Sequence, residues 1–454
     1  MLFALSIDWF LKWEPIKHIA MSKGKLLFIS PSANVLGGVQ TWLSYLLPGL
    51  CEFGWEVVLG LTKGTFHCPD SYLKSHFYDN VVVIQSKTGS KEGRIRAIEK
   101  AIRQTAPDIV VSVNVADVYA AANRLKTRKP SSVKCVATCH GVQKCFFEDY
   151  RRFSDSVEAV VSTNRLTQAL VKKVSGIDSD RSMYAPYGVE LHPESIVGGD
   201  SQDLKRSFTI AYVGRFEEKQ KRITDLLSIL DKIVKDHPKT RVLMAGDGPD
   251  RDKVESWLEK TKSDKVTYFG ELLHSDLQPK IYDQCDVLLL TSHWETGPIV
   301  AWEAMSRGVV LVTSRYIGSQ HEGSLFNQSN CLMFEAGDIE QAVAQLNEAR
   351  NKTLRGSLSS NGYEMVTKNY SRKRSLEIWD DCFHRVMGLP HKTPKSKIDV
   401  TRDEGRLTNL FGENLAESIR ELSGQRFKNM DAGSEWPHSF GSDDVDISTL
   451  LSVV

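Results

Sequence analysis

Short apolar runs with strand character alternate with stretches whose apolar residues recur at helical spacing, from Lys25 to about Tyr370. Such alternation marks α/β domains, because a parallel strand needs a crossover element before its neighbour. Residues 25–30 (KLLFIS) read as the first strand. A loop ending in Gly37-Gly38 follows, then a helical stripe over 39–53, with Gly54 suited to the C-terminal cap. Residues 56–61 complete a βαβ unit. Further strands are predicted at 81–84, 109–113, 134–138 and 159–162. A second set is predicted at 209–213, 241–245, 266–269, 287–291 and 309–313.

Between the two sets, residues 191–206 are rich in Gly, Ser, Pro and Asp and read as a linker. The expected organisation is a first Rossmann-like domain over 21–190, that linker, and a second Rossmann-like domain over 207–390 whose last helix can cross back onto the first. The character changes in 391–454. A charged stretch leads to an apolar stripe of Leu407, Leu410, Phe411, Leu415, Ile419 and Leu422, and a Ser/Asp/Gly-rich end follows. This pattern predicts a linker, one docking or partner-binding helix and a loose tail.

Composition narrows the class. A chain of 454 residues can bury two sizeable cores. Its 58 basic and 57 acidic side chains nearly cancel, which argues against a dedicated nucleic-acid binder. Eight scattered cysteines, several inside apolar runs, read as buried reduced thiols of a cytoplasmic protein. Cys135, Cys139, His140 and Cys145 resemble a metal knuckle, but Val136 and Ala137 make the stretch a buried strand, and no second ligand pair follows at zinc spacing. Residues 1–20 lack a basic leader and a cleavage site and are too short to span a bilayer. They read as a start-site extension before Met21. The alternative is an interfacial anchor using Leu2, Phe3, Trp9, Phe10 and Trp13, which would give peripheral membrane contact.

The most informative stretch starts at the predicted strand 287–291 and runs through Glu295, Gly297, Pro298 and Glu303 to Gly308. Pro298 suits the first position of a helix over 298–307, and Gly308 suits its stop. The first amides, Ile299 and Val300, would then meet a diphosphate with the helix dipole behind them. Side chains lean towards a helix N-terminus, so Glu295 and Glu303 can reach one pocket at different depths. Two facing parallel-sheet domains would place that pocket in the cleft between them, beyond the strand ends.

The segment resembles the E-x7-E motif of glycosyltransferase family 4, the retaining GT-B enzymes. Other landmarks follow in the family's order: Gly37-Gly38, Pro107-Asp108, His140-Gly141, the run from Pro186 to Glu190, Val213-Gly214-Arg215, Gly246-Asp247-Gly248-Pro249 and Phe269-Gly270. The resemblance covers about 25–389. It implies a GT-B fold of two Rossmann-like domains facing a cleft, and transfer of a sugar from a nucleotide sugar to an acceptor hydroxyl with retention. Glu295 would lie near the transferred sugar and Glu303 on the ribose hydroxyls. Arg215 and Lys221 would hold the diphosphate. Gly37, Gly38 and Gly214 would let backbone approach the donor, and His140 would lie beside the sugar. The usual lysine stands five residues after the arginine, whereas here Lys219 and Lys221 fall on either side of that place, and Lys221 is preferred. Pro298 also stands where the family often has glycine.

The family's favoured mechanism is front-face, with the leaving phosphate taking the acceptor proton. No Asp-x-Asp motif stands in a suitable loop, so metal dependence is not expected. The nucleotide-diphosphate sugar is a co-substrate, and no tightly bound cofactor is expected. The acceptor, a carbohydrate or lipid-linked glycan, would be read by loops around 65–76 and 142–152. Donor identity and oligomeric state are not encoded in these motifs. Two other readings stay open: a GT-B epimerase or phosphorylase, and a non-catalytic interaction protein on this scaffold.

Overall fold

Thirteen parallel strands form two sheets among the residues that the computed structural model describes, 22–33, 38–192, 207–400, 405–441 and 447–452. The first sheet holds β1 (Lys25–Ser30), β2 (Glu56–Lys63), β3 (Val81–Gln85), β4 (Ile109–Ser112), β5 (Lys134–Cys139), β6 (Ala159–Ser162) and β7 (Ser182–Tyr184), in the order β3-β2-β1-β4-β5-β6-β7. The second holds β8 (Thr209–Val213), β9 (Arg241–Ala245), β10 (Val266–Tyr268), β11 (Val287–Leu290), β12 (Val310–Ser314) and β13 (Leu332–Phe334), in the order β10-β9-β8-β11-β12-β13. Both orders reverse direction beside the first strand, which opens a crevice at the strand ends. The expected extension over 1–20, Gly37 and most of the linker, 193–206, lie outside the described residues.

The strands read as continuous apolar runs because helices cover both faces of each sheet. Leu26, Leu27, Phe28 and Ile29 of β1 are all fully buried. One device recurs in both halves. The carboxylate of Asp108, just before β4, accepts the Lys25 amide at 2.8 Å, and that of Asp286, just before β11, accepts the Thr209 amide at 2.8 Å. Each ties the start of a sheet's first strand to its neighbour. The strands not anticipated are β7 and β13, three residues each at sheet edges. Such short runs carry no readable period.

The chain crosses back after the second sheet. Ser371 pairs with Val189, and its side chain accepts the Arg374 amide to cap the helix Arg372–Gly388. Trp379, Cys382, Phe383 and Val386 of that helix join the core of the first sheet beside Phe28 and Trp42. Trp55 Nε1 donates to Asp380 at 2.7 Å. At the far end, Lys134 Nζ donates to the carbonyls of Val386 (3.0 Å) and Leu389 (2.7 Å), helping to satisfy the helix C-terminus.

The C-terminal segment differs from the expectation in two ways. The helix Arg406–Ser423, interrupted at Gly412 (φ 73°), docks through its polar face. Glu417 is fully buried and accepts the hydroxyls of Thr88 and Ser90, each at 2.6 Å. The apolar stripe instead leaves Leu410, Phe411, Leu415 and Leu422 exposed. The expected loose tail is held to the first domain across its described part. Glu435 accepts the Thr65 and Phe66 amides, Trp436 is buried, and Leu450 and Leu451 join the first sheet's apolar core. Among the described residues, no helix is long and apolar enough to cross a membrane.

Candidate active site

The loop after β11 enters the cleft under tight local control. Glu295 N bonds Ile317 O at 3.3 Å, and Gly297 has a φ of 80°, a conformation that favours glycine. Pro298 is not the first helical residue. With ψ at 92° it caps the helix Ile299–Met305, and its carbonyl accepts the amide of Ala301 at 2.9 Å. Ile299 and Val300 line the cleft, whose volume is about 850 Å³. Gly38 faces them across it, where a Cβ would meet Ile299 Cδ1 at 3.2 Å. Lys221, Gly214, Glu295, Glu303 and His140 line the same cleft.

Glu295 is almost completely buried. Its Oε1 accepts Lys221 Nζ at 2.6 Å and Ser292 Oγ at 2.5 Å. A carboxylate removed from water needs such partners, and a lysine supplies the compensating charge. Lys221 is itself set by the strand end, because Thr291 Oγ1 donates to its carbonyl at 2.7 Å. Glu303 is held by two groups that sequence reasoning missed. Tyr282 OH donates to Oε2 at 2.7 Å, and His274 Nε2 lies 2.6 Å from Oε1. The hydrogen bond to Glu303 raises the pKa of His274 above its ordinary value.

His140 sits on the opposite wall with both ring nitrogens engaged. Thr138 Oγ1 donates its proton to Ser112 O at 2.8 Å, so it accepts from His140 Nε2 at 2.8 Å. His140 Nδ1 therefore accepts from Tyr187 OH at 2.5 Å. Burial lowers the His140 pKa to about 3, so the ring is neutral at physiological pH. Trp42 packs edge-on to it, with ring centroids 5.0 Å apart.

Arg215 and Lys221 were expected to line one cleft, but their side chains part. Arg215 lies in an adjoining cavity of about 430 Å³ with Lys219, while Lys221 faces the main cleft. Its guanidinium meets Glu217 at 2.5 Å and Gln220 at 3.3 Å. The short helix Glu218–Lys221 explains the division: Lys219 and Lys221 stand two residues apart, on different sides of it. His140 and Thr296 line both cavities, so the two are continuous there. The Gly246-Asp-Gly248 turn has a packing role. A Cβ on Gly246 would come within 1.9 Å of Gly214 O, and one on Gly248 within 2.3 Å of Phe216 O. Both glycines let the loops after β8 and β9 touch. Cys135 and Cys139 of β5, and Cys145 of the helix Lys144–Arg152, lie in the apolar core of the first sheet. Of the stretch 142–152, residues 144–152 form a helix with Tyr150 buried against Tyr119, and only its start, Val142 to Lys144 with Phe146, faces the adjoining cavity.

Two family models match this chain in tandem: Glycosyltransferase Family 4 over 36–192 and Glycosyl transferases group 1 over 200–365. The chain belongs to the GT-B glycosyltransferases. It is 24% identical over 342 residues to the lipopolysaccharide 1,6-galactosyltransferase of Escherichia coli K12, covering 71% of this chain and 88% of that one. A stretch of 137 residues, 30% of this chain and 32% of the relative, is 33% identical to the glycogen synthase of Mycobacterium tuberculosis. Among solved structures, Anabaena HepE with UDP and glucose superposes with a TM-score of 0.62 at 16% identity, covering 79% of this chain and 99% of that one. A glycosyltransferase of Rickettsia africae gives 0.65 at 18% identity, covering 81% and 99%. These likenesses establish the fold of this glycosyltransferase. The local geometry above is its own.

Proposed function

We propose that this glycosyltransferase takes a nucleotide-diphosphate sugar in the main cleft and transfers the sugar to an acceptor hydroxyl with retention of configuration. The observation that carries the reading is the Lys221–Glu295 pair, 2.6 Å apart, on the floor of an interdomain cleft beside Ile299 and Val300. A lysine so placed can leave its carboxylate partner for an arriving diphosphate, and the freed carboxylate can accept sugar hydroxyls. Binding would thus exchange one paired charge for another.

In the proposed step the bond from the anomeric carbon to the phosphate oxygen breaks, and the acceptor oxygen bonds to that carbon on the same face. The acceptor proton passes to the departing phosphate oxygen. Lys221 offsets the growing phosphate charge. Arg215, released from Glu217, would reach the same group from the adjoining cavity. Glu303, held by Tyr282 and His274, would accept the ribose hydroxyls. His140 has no ring nitrogen free to move a proton, which leaves it as a neutral wall beside the sugar. Gly38 and Gly214 would leave room for the donor. The solved relative HepE holds UDP, which makes a uridine donor the first to test.

Titration calorimetry with UDP, GDP and ADP, followed by transfer assays with the matching hexose donors, tests the reading. It expects one nucleoside diphosphate to bind and Glu295→Gln to lose transfer. Normal transfer by purified Glu295→Gln, or no binding of any nucleotide, would refute it.

A further inference from the structure

The adjoining cavity is walled in part by residues that the two-domain architecture does not supply. Its lining combines Asn114, Gly141, Gln143 and Phe146 of the first domain, Arg215, Gln220 and Trp294 of the second, and His438 and Leu450 of the C-terminal extension. The extension is bonded in place on both sides of His438. Glu435 accepts the amides of Thr65 (2.6 Å) and Phe66 (2.9 Å), and Trp436 Nε1 donates to Lys63 O at 3.3 Å. Pro437 O accepts the Ala116 amide at 3.0 Å. Ser439 Oγ and Phe440 N donate to Asp149 at 2.6 and 3.0 Å. His438 therefore has anchored neighbours before and after it, so its backbone is held at the rim of the cavity that its ring lines. Partial desolvation at the cavity rim, with His67 nearby, lowers its pKa, which leaves a neutral ring with one donor and one acceptor.

We propose that the C-terminal extension completes the acceptor site, with His438 and Leu450 as specificity-determining residues for a saccharide acceptor. The inference rests on the proposed transferase function. The cavity opens into the donor cleft at His140 and Thr296, which is where an acceptor hydroxyl must reach the anomeric carbon. Its lining suits a sugar: the amides of Asn114, Gln143 and Gln220 for hydroxyls, and the rings of Trp294 and Phe146 with Leu450 for the apolar face of a pyranose. Because these hydrogen bonds tie residues 435–440 to the first domain, changing His438 should alter acceptor choice and leave donor affinity alone.

The test uses the full chain loaded with UDP and titrates octyl glucoside, galactoside and mannoside by saturation-transfer NMR. At least one hexoside should bind the wild type. His438→Ala should weaken it about tenfold, and His438→Gln, which keeps a neutral donor and acceptor, should recover most of the loss. UDP affinity and melting temperature should stay at the wild-type values. If His438→Ala fails to fold, Leu450→Ser carries the same measurement. No binding of any hexoside, or equal binding by wild type and variant, overturns the inference. Failure of the wild type to bind UDP, by contrast, would remove the donor-site reading itself.

Discussion

The two walls of the cleft differ in chemistry and in how they are supported. The wall from the second domain is charged and paired, with Lys221 on Glu295 and His274 with Tyr282 on Glu303. Its groups all come from that domain. The wall from the first domain is neutral and aromatic, built on His140, Trp42 and Tyr187. It depends on distant chain segments: the crossing helix backs Trp42 through Trp379, and the extension after Phe427 closes its outer edge. Charge is best kept where its partners belong to one domain, because a stray buried ion is costly. A neutral wall can be assembled from remote pieces at less risk.

The charged wall gives the largest expected effects. Glu295→Gln keeps an acceptor without the charge, and transfer should fall by about 10³-fold, roughly 4 kcal/mol of transition-state stabilisation, in a steady-state assay. Lys221→Ala should be equally inactive but also less stable, because it leaves the Glu295 carboxylate buried without its cation. The double variant should regain melting temperature without regaining activity. If activity returned with stability, the pair would be structural.

The borrowed support of the neutral wall is probed next. Trp379 is fully buried against Trp42, and Trp379→Ala should cost about 3–5 kcal/mol in denaturant unfolding. A loss under 1 kcal/mol would mean that the crossing helix does not brace the wall.

Asp149 offers a smaller, pH-dependent probe of the extension. Burial raises its pKa to about 6 from an ordinary value of 3.8. Between those values the folded state holds a proton that the unfolded state has released, so stability falls as pH rises from about 4 to 6, by roughly 2–3 kcal/mol. Asp149→Asn should flatten that dependence and raise the melting temperature at pH 7, if the extension remains bonded through the amide oxygen. Unchanged pH dependence would show that Asp149 titrates as an exposed carboxyl.

The smallest effect concerns His274. Its pKa is raised by Glu303, so the cationic pair is complete below pH 6.5 and is lost as pH rises through the higher, folded-state value. UDP affinity should therefore change a few-fold, about 1 kcal/mol, across that window, and His274→Ala should remove the change. Identical titrations by calorimetry in wild type and variant would separate Glu303 from nucleotide binding.

The sheets were legible from their apolar runs, down to the three-residue edge strand β10, whereas the equally short β7 and β13 at other sheet edges were not. Glu295, Glu303 and Lys221 were legible as a pattern, but their partners were not: nothing marks Tyr282 and His274 as belonging to Glu303 until the loop after β10 folds over the helix Ile299–Met305. The stripe over 407–422 misled for a physical reason. Glu417 docks the opposite, polar face by accepting the hydroxyls of Thr88 and Ser90, while buried Arg420 bonds Thr408 of its own helix, so the apolar stripe is left facing out.

The sequence alone determined two parallel-sheet domains, the strand–glycine–proline–helix junction and the residue types at the cleft, because periodicity and turn chemistry act over a few neighbouring residues. Tertiary structure decided which way each charged side chain faced. It sent Arg215 to one cavity and Lys221 to the next, fixed the tautomer of His140 through Thr138 and Tyr187, and brought His438 to the cleft's edge. Those outcomes depend on groups tens to hundreds of residues apart meeting in a space where each buried polar atom must find a partner.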